Sequence, residues 1–342
     1  MAEAFLRLPL AEQAEILNGL APELGRAAVV LEKDVWVCWV LQHLFQMPGR
    51  LPMAFKGGTS LSKVFDAISR FSEDVDVTLD YRGFDTDIDP FDANTSKSQI
   101  KKLGESLKGF VRDHAHEVAT PYFTEQLREQ FDPQHARVEV SDNGEEFRIY
   151  YPSALDQAAG YVGNSVLIEF GGRNITEPNA EYQVRPYIAD RLPSLDLPSA
   201  TVTVLSPART FWEKVTLIHV ECHRPDLKAD ANRQSRHWYD LALLADHDIG
   251  RQALADRALL ADVVKHKKVF FGAGYANYDA CQTGGIRLLP DQRLLDAVAS
   301  DLRAMIDAGM FYGERPSFEK IIGRLRALEH EINAGARLGA SD

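Results

Sequence analysis

Asp74 and Asp76 flank Val75 in the run Ser72-Glu-Asp-Val-Asp-Val-Thr-Leu79. Aspartate is depleted in strands, whereas valine and threonine favour them. Alternation puts both carboxylates on one strand face, with α-carbons roughly 7 Å apart. Two such groups repel unless a cation sits between them. Mg²⁺ takes oxygen ligands at about 2.0–2.1 Å and keeps waters and substrate phosphates as its others. A pair of metals about 3.5–4 Å apart, clamped by acids, drives in-line phosphoryl displacement. Upstream, Gly57-Gly58-Thr59-Ser60 follows an apolar run over residues 51–55. The glycines let a backbone approach a ligand and tolerate positive φ. A helix starting near Ser60 would offer free N–H groups to phosphate, and Thr59 or Ser60 a hydroxyl. Alone, Gly-Gly reads as a turn and Asp-x-Asp equally well as a solvated strand edge. Joined in one strand–turn–helix–strand unit, they read as a phosphate cradle facing a metal-binding carboxylate pair. No Gly-x-x-x-x-Gly-Lys-Ser/Thr is present, so a P-loop of the usual form is excluded.

The elements that must position this unit extend on both sides. Residues 10–20 and 27–45 carry helical apolar patterns, the second interrupted by Glu32-Lys33-Asp34, which on its residues alone reads as a polar face. Residues 81–96 form a polar, Asp-rich loop, and Ser96 or Thr95 caps a long helix to about residue 130 with a break near Pro121. Residues 137–141 and 147–151 alternate around Asp142-Asn143-Gly144, a hairpin signal. Residues 165–170 form an apolar strand that holds one acid, Glu169, and ends at Gly171 and Gly172. Glu169 is read either as a metal ligand or as the partner of Arg173 or another cation. Residues 182–188 and 201–205 are further strands.

From Ser206-Pro207, an N-cap followed by proline at the first helical position, the chain is helical. Lys214 borders the stripe of Phe211, Val215 and Ile218. A half-buried lysine keeps its charge best when anions face it, whether a triphosphate or a structural acid. After a polar connector over residues 224–234, Asp240 lies in the first turns of a helix, where an acid complements the helix dipole. His219, Cys222 and His223 share one helix face, but one helix rarely supplies a full zinc site. Further helices are expected near 251–270, 291–308 and 316–335.

Length and composition bound the rest. The chain has 342 residues, 45% hydrophobic and 26% charged, ordinary for a globular protein with one elaborated domain or two. No apolar run is long enough for a membrane span, and the N-terminus lacks the regions of a signal peptide. Three scattered cysteines suit a reducing cytoplasm. A net charge of −12 argues against bulk nucleic-acid binding but leaves room for a local basic patch. Three basic clusters read as solvated faces: Lys97, Lys101, Lys102, Lys108 and Arg112; Arg224, Lys228, Arg233 and Arg236; Lys265, Lys267 and Lys268.

The Gly-Gly-Thr-Ser turn, helix and Asp-Val-Asp strand resemble the polymerase-β-type nucleotidyltransferase fold. The fuller string Lys56-Gly-Gly-Thr-Ser-Leu-Ser-Lys63 with Arg70 and Ser72-Glu-Asp-Val-Asp76 resembles the AbiEii/AbiGii-type abortive-infection toxins, as do Glu213-Lys214 and Arg236-His-Trp-Tyr-Asp-Leu241. The resemblance gives Glu32-Lys33-Asp34 a further part beside the polar-face reading, since Glu-Lys-Asp before an aromatic-rich helix also precedes the Gly-Gly motif in that family. The resemblance implies an α/β (α+β) core with a mixed sheet over residues 51–205, an N-terminal helical arm over 1–50 and a helical domain over 206–342. It implies transfer of a nucleotidyl group from an NTP, at a site between sheet and helices. Asp74 and Asp76 would hold Mg²⁺ or Mn²⁺, with Glu169 as a third acid. Gly57, Gly58, Thr59, Ser60, Lys63 and Arg70 would bind nucleotide. Lys214 would contact phosphates, and Asp240 would act as a catalytic carboxylate or orient Lys214. The implied partners are an antitoxin and an RNA acceptor, transfer RNA in some relatives, in a phage-defence setting. Nucleotidylation of a small molecule, and a non-catalytic nucleotide-binding toxin or sensor, are the alternatives.

Overall fold

The computed structural model describes residues 3–155, 163–226 and 234–338. Its strands are β1 (Glu3–Ala4), β2 (Met53–Lys56), β3 (Val75–Asp80), β4 (Arg137–Val140), β5 (Glu146–Tyr150), β6 (Ser165–Asn174), β7 (Asn179–Val184), β8 (Leu195–Asp196) and β9 (Ala200–Leu205). Its α-helices are α1 (Leu10–Leu24), α2 (Ala28–Gln46), α3 (Gly57–Lys63), α4 (Lys97–Asp113), α5 (Thr120–Gln130), α6 (Pro207–His223), α7 (Ser235–Asp246), α8 (Asp248–Ala255), α9 (Arg257–Phe270), α10 (Gln292–Asp307) and α11 (Phe318–Leu338).

Two compact units emerge. One holds residues 1–64, 71–89 and 95–205; the other holds 65–70, 90–94 and 206–342. The first is built on a mixed seven-stranded sheet of order β4-β5-β6-β3-β2-β9-β7. The acid-bearing strand β3 lies near its middle, antiparallel to β2 and parallel to β6. A mixed sheet is therefore present, as the resemblance implies. Val75, Val77 and Leu79 of β3 are buried with Ile168 and Phe170 of β6. The helices α1 and α2 count with this sheet rather than standing apart.

Several local expectations change for physical reasons. The α2 triplet Glu32, Lys33 and Asp34 is buried, at 2%, 3% and 6% exposure, because each side chain finds a charged or backbone partner. It is not a polar outer face. Strand β6 does not end at Gly171 and Gly172 but runs through both to Asn174. A side chain at Gly172 would start 2.4 Å from Val111 Cγ2 of α4, so glycine there lets helix and sheet approach. The break in the long helix is a π-helical turn, His114–Ala119, just ahead of Pro121. Proline has no N–H to complete the regular ladder. Ser96 caps α4 in a full capping box with Gln99. Gly144 turns the β4–β5 hairpin at φ +71°.

In the helical unit, Phe211, Trp212, Val215 and Ile218 of α6 are fully buried. Trp212 Nε1 donates to the Ala253 carbonyl at 3.1 Å and Trp238 Nε1 to that of Leu288 at 3.1 Å. His219 sits between the Arg287 N–H (3.0 Å) and the Asn277 carbonyl (3.1 Å), which accounts for it structurally. The span expected near 251–270 is divided at Asp256, whose side chain caps α9. Among the described residues no helix is long and apolar enough to cross a membrane. Lys228 and Arg233 of the connector cluster lie outside the described residues.

Candidate active site

Helix α3 begins at Gly57, earlier than the sequence suggests, with Lys56 at the N-cap. Gly57 has φ +80°, and a Cβ built there would lie 1.9 Å from Asp76 Oδ2. The turn therefore needs glycine twice over: for its left-handed backbone and because a carboxylate occupies the space of a side chain. This contact brings the two halves of the motif together. The left-handed glycine is Gly57; Gly58 is buried inside the helix without positive φ.

The hydroxyls of the turn are used internally. Thr59 Oγ1 donates to the Asp74 carbonyl at 2.5 Å and lies 3.0 Å from Ser72 Oγ. Ser60 Oγ donates to the Gly57 carbonyl at 2.9 Å. Both bonds fix the path of the backbone around the carboxylates.

Register aligns a charged row across four strands. Lys56 of β2 faces Asp76 of β3, Asp76 faces Glu169 of β6, and Glu169 faces Glu146 of β5. Directly opposed residues project to the same sheet face, and like charges so placed are destabilising. Glu146 carries no signal of its own in the sequence, because only the β5–β6 register places it beside Glu169. Asp74 precedes β3, half-buried like Asp76 and Glu169. Arg173 approaches Glu145, at 3.9 Å. Among the described residues no group of three or more His, Cys, Asp or Glu side chains converges to hold a metal. The all-oxygen donors at Asp74 and Asp76 suit Mg²⁺ or Mn²⁺, which use one or two carboxylates and complete their shell with substrate phosphates and water.

Lys63 meets Asp34 of the Glu32-Lys33-Asp34 triplet. Lys63 Nζ pairs with Asp34 Oδ1 and stands 4.1 Å over the Tyr187 ring. Burial alone would lower the Lys63 pKa, but the Asp34 carboxylate beside it holds it above the ordinary lysine value. Lys63 thus lies in an internal pair.

The remaining residues singled out in the sequence belong to the helical unit. Arg70 grips Asp240 with two bonds, Nε to Oδ1 at 2.6 Å and Nη2 to Oδ2 at 2.8 Å. Lys214 Nζ donates to Asp240 Oδ2 at 2.8 Å. Asp240 is fully buried. Burial disfavours its charge, but Arg70 and Lys214 overcome this and hold the carboxyl well below the usual range. Burial and the nearby Arg70 push Lys214 down, against the pull of Asp240. Two cations share one carboxylate, so Asp240 stays ionised while Lys214 holds its proton less firmly. Sequence placed Lys214 and Asp240 together; that Arg70 completes the group was not legible, since 170 positions separate it from Asp240.

The structure is a mixed α/β fold in which a Gly-Gly-Thr-Ser turn stands against an Asp-bearing central strand. The chain belongs to the AbiEii family: the model for the nucleotidyl transferase AbiEii toxin of type IV toxin–antitoxin systems matches residues 39–324. The protein is accordingly a nucleotidyltransferase of the toxin class, and an antitoxin partner goes with that class. Among solved structures it is similar to MenT4, a nucleotidyltransferase toxin from Mycobacterium tuberculosis H37Rv. The identity is 16%, the match covers 96% of this chain and 99% of that one, and the TM-score is 0.38. No curated protein matches the chain.

Proposed function

We propose that the protein transfers a nucleotidyl group from an NTP to an RNA acceptor, with transfer RNA as the first candidate, and that Asp74 and Asp76 hold the divalent cation the reaction needs. The observation that carries this reading is the Asp76 carboxylate lodged in the space a side chain at Gly57 would fill. It sets an anionic oxygen beside the backbone of a Gly-rich turn, where cation and phosphate can meet. When bound, Mg²⁺ or Mn²⁺ would neutralise the phosphates and orient the reacting one. Glu169 stands beside Asp76 in the strand register, which supports it as the third acid the resemblance assigns, without a ready-made three-acid cluster among the described residues.

The chain's own residues do the positioning. Gly57 and Gly58 admit the triphosphate close to backbone, and Thr59 and Ser60 keep the turn closed through their hydroxyls. Lys214 and Asp240, joined within the helical unit, keep the roles the resemblance gives them: a cation for phosphate and the acid that orients it. Lys63 and Arg70 contribute through their ion pairs with Asp34 and Asp240. Most of the catalysis is orientation and electrostatic stabilisation of charge developing on the leaving pyrophosphate. With a net charge of −12, RNA must be held by local basic patches, so transfer to RNA should weaken as salt rises.

The test is incubation of purified protein with each labelled NTP, Mg²⁺ and total RNA. Label on RNA that requires Mg²⁺ is the expected result. Label on small molecules would redirect the acceptor, and no label with any NTP would overturn the reading.

A further inference from the structure

We infer that Lys33 and Asp34, adjacent residues of α2, form a two-pronged clamp that sets the distance between the Gly-Gly turn and the carboxylate strand, and are positioning residues for nucleotidyl transfer. The inference rests on the proposed role of Asp74 and Asp76.

Lys33 Nζ stands 2.7 Å from Glu73 Oε2, an ion pair by distance without hydrogen-bond alignment, and Glu73 immediately precedes Asp74. Asp34 pairs with Lys63, the last residue of α3, whose first residue is Gly57. One helical turn of α2 therefore holds the far end of the cradle helix with one side chain and the near end of the acid strand with the next. Successive helical residues point about 100° apart, so the two prongs reach different elements. Each prong is itself fixed: Lys33 Nζ also donates to the Gly163 carbonyl at 2.9 Å, and Asp34 Oδ2 accepts the Tyr187 N–H at 2.6 Å. Glu32 anchors the same turn by accepting from Ser153 Oγ at 2.7 Å and the Ala154 N–H at 2.5 Å.

The clamp stands where the chain most needs it. Residues 65–70, between the two clamped ends, are grouped with the helical unit rather than with the sheet. The backbone thus leaves the sheet unit after the turn and returns just before the acids. A fixed exit and re-entry adds to Thr59 and the β2–β3 ladder in holding the Gly57–Asp76 contact. Four buried charges are a costly way to build a fold, since apolar residues of equal volume serve stability as well or better. Their value lies in geometry: an ion pair specifies one separation and one register.

The experiment compares single variants Lys33→Met, Glu73→Gln, Asp34→Asn and Lys63→Met with the doubles Lys33→Met/Glu73→Gln and Asp34→Asn/Lys63→Met, all in the full chain. Each single leaves a buried charge alone and should lower Tm. Each double removes both charges and should recover much of that loss. If the pairs position the site, kcat for label transfer stays at least tenfold down in the doubles while KM for NTP moves less than threefold. Recovery of kcat along with Tm would reduce the pairs to structural contacts and overturn the clamp. A second readout needs no activity. Hydrogen exchange in residues 57–64 and 73–77 should quicken at least tenfold in the doubles while β5 and β9 stay protected. Unchanged exchange overturns the clamp even if wild-type protein labels nothing, and faster exchange beside an inactive wild type preserves it while sinking the transfer reading.

Discussion

At the scale of the residue, the site depends on what Gly57 lacks. Its φ of +80° costs an L side chain roughly 1–3 kcal/mol of strain, and its Cβ would collide with Asp76. Gly57→Ala should therefore displace the carboxylate, lowering transfer at least tenfold and Tm by several degrees; activity at the wild-type level in a folded Gly57→Ala would show that the contact has no catalytic part. Asp76→Asn isolates charge from shape. It removes a ligand charge with almost no change of volume, relieving repulsion from Glu169 on one side while giving up attraction to Lys56 on the other. We expect a loss of about 10²-fold or more in kcat, with Tm little changed.

At the scale of the element, the fate of Lys214 shows how packing decides between sequence-based expectations. The pattern of α6 left Lys214 facing either a triphosphate, where Lys214→Ala should cost little stability, or a structural acid. Its side chain is 9% exposed and bonded to fully buried Asp240. The loss should be about 1–3 kcal/mol, measurable by urea unfolding, because Arg70 still satisfies Asp240. Asp240→Asn should cost more, about 3–5 kcal/mol, since it strands two buried cations. Asp240 also predicts acid behaviour. Its folded pKa lies below the unfolded value of about 3.9, so its stabilisation is complete above that pH and is lost as pH falls below it. The Tm gap between wild type and Asp240→Asn should be constant from neutral pH to near pH 5 and should shrink below pH 4; a gap unchanged in strong acid would mean that Asp240 is not ionised in the fold.

At the scale of the whole molecule, the two units are interleaved in sequence. The helical unit draws residues 65–70 and 90–94 from within the first half of the chain. These bring Arg70 to Asp240 and put the Phe91 ring 4.8 Å from His266. A fragment beginning at residue 206 should melt without a cooperative transition, although it contains every long helix of that unit. A sharp melt matching the full chain would show that the borrowed segments are dispensable.

The sequence by itself determined the local chemistry: the Gly-Gly turn, the strand that carries Asp76 with Asp74 just ahead of it, the Asp142-Asn-Gly hairpin and the capped start of α4. Each is set by residues within a few positions of one another, where backbone preference and alternation decide the outcome. It also carried the family, since the motif's residues and spacing survive intact. The tertiary structure decided what depends on partners far along the chain. Glu32-Lys33-Asp34 looked like a solvated face because charge usually stays in water; Glu73, Lys63, Ser153 and the Tyr187 backbone N–H make burial affordable. Glu146 joined the acid row only through the β5–β6 register. Arg70 became the partner of Asp240 only when helix packing brought together residues 170 positions apart. Burial sets the cost of a charge, and only the folded chain shows which opposite charge offsets it.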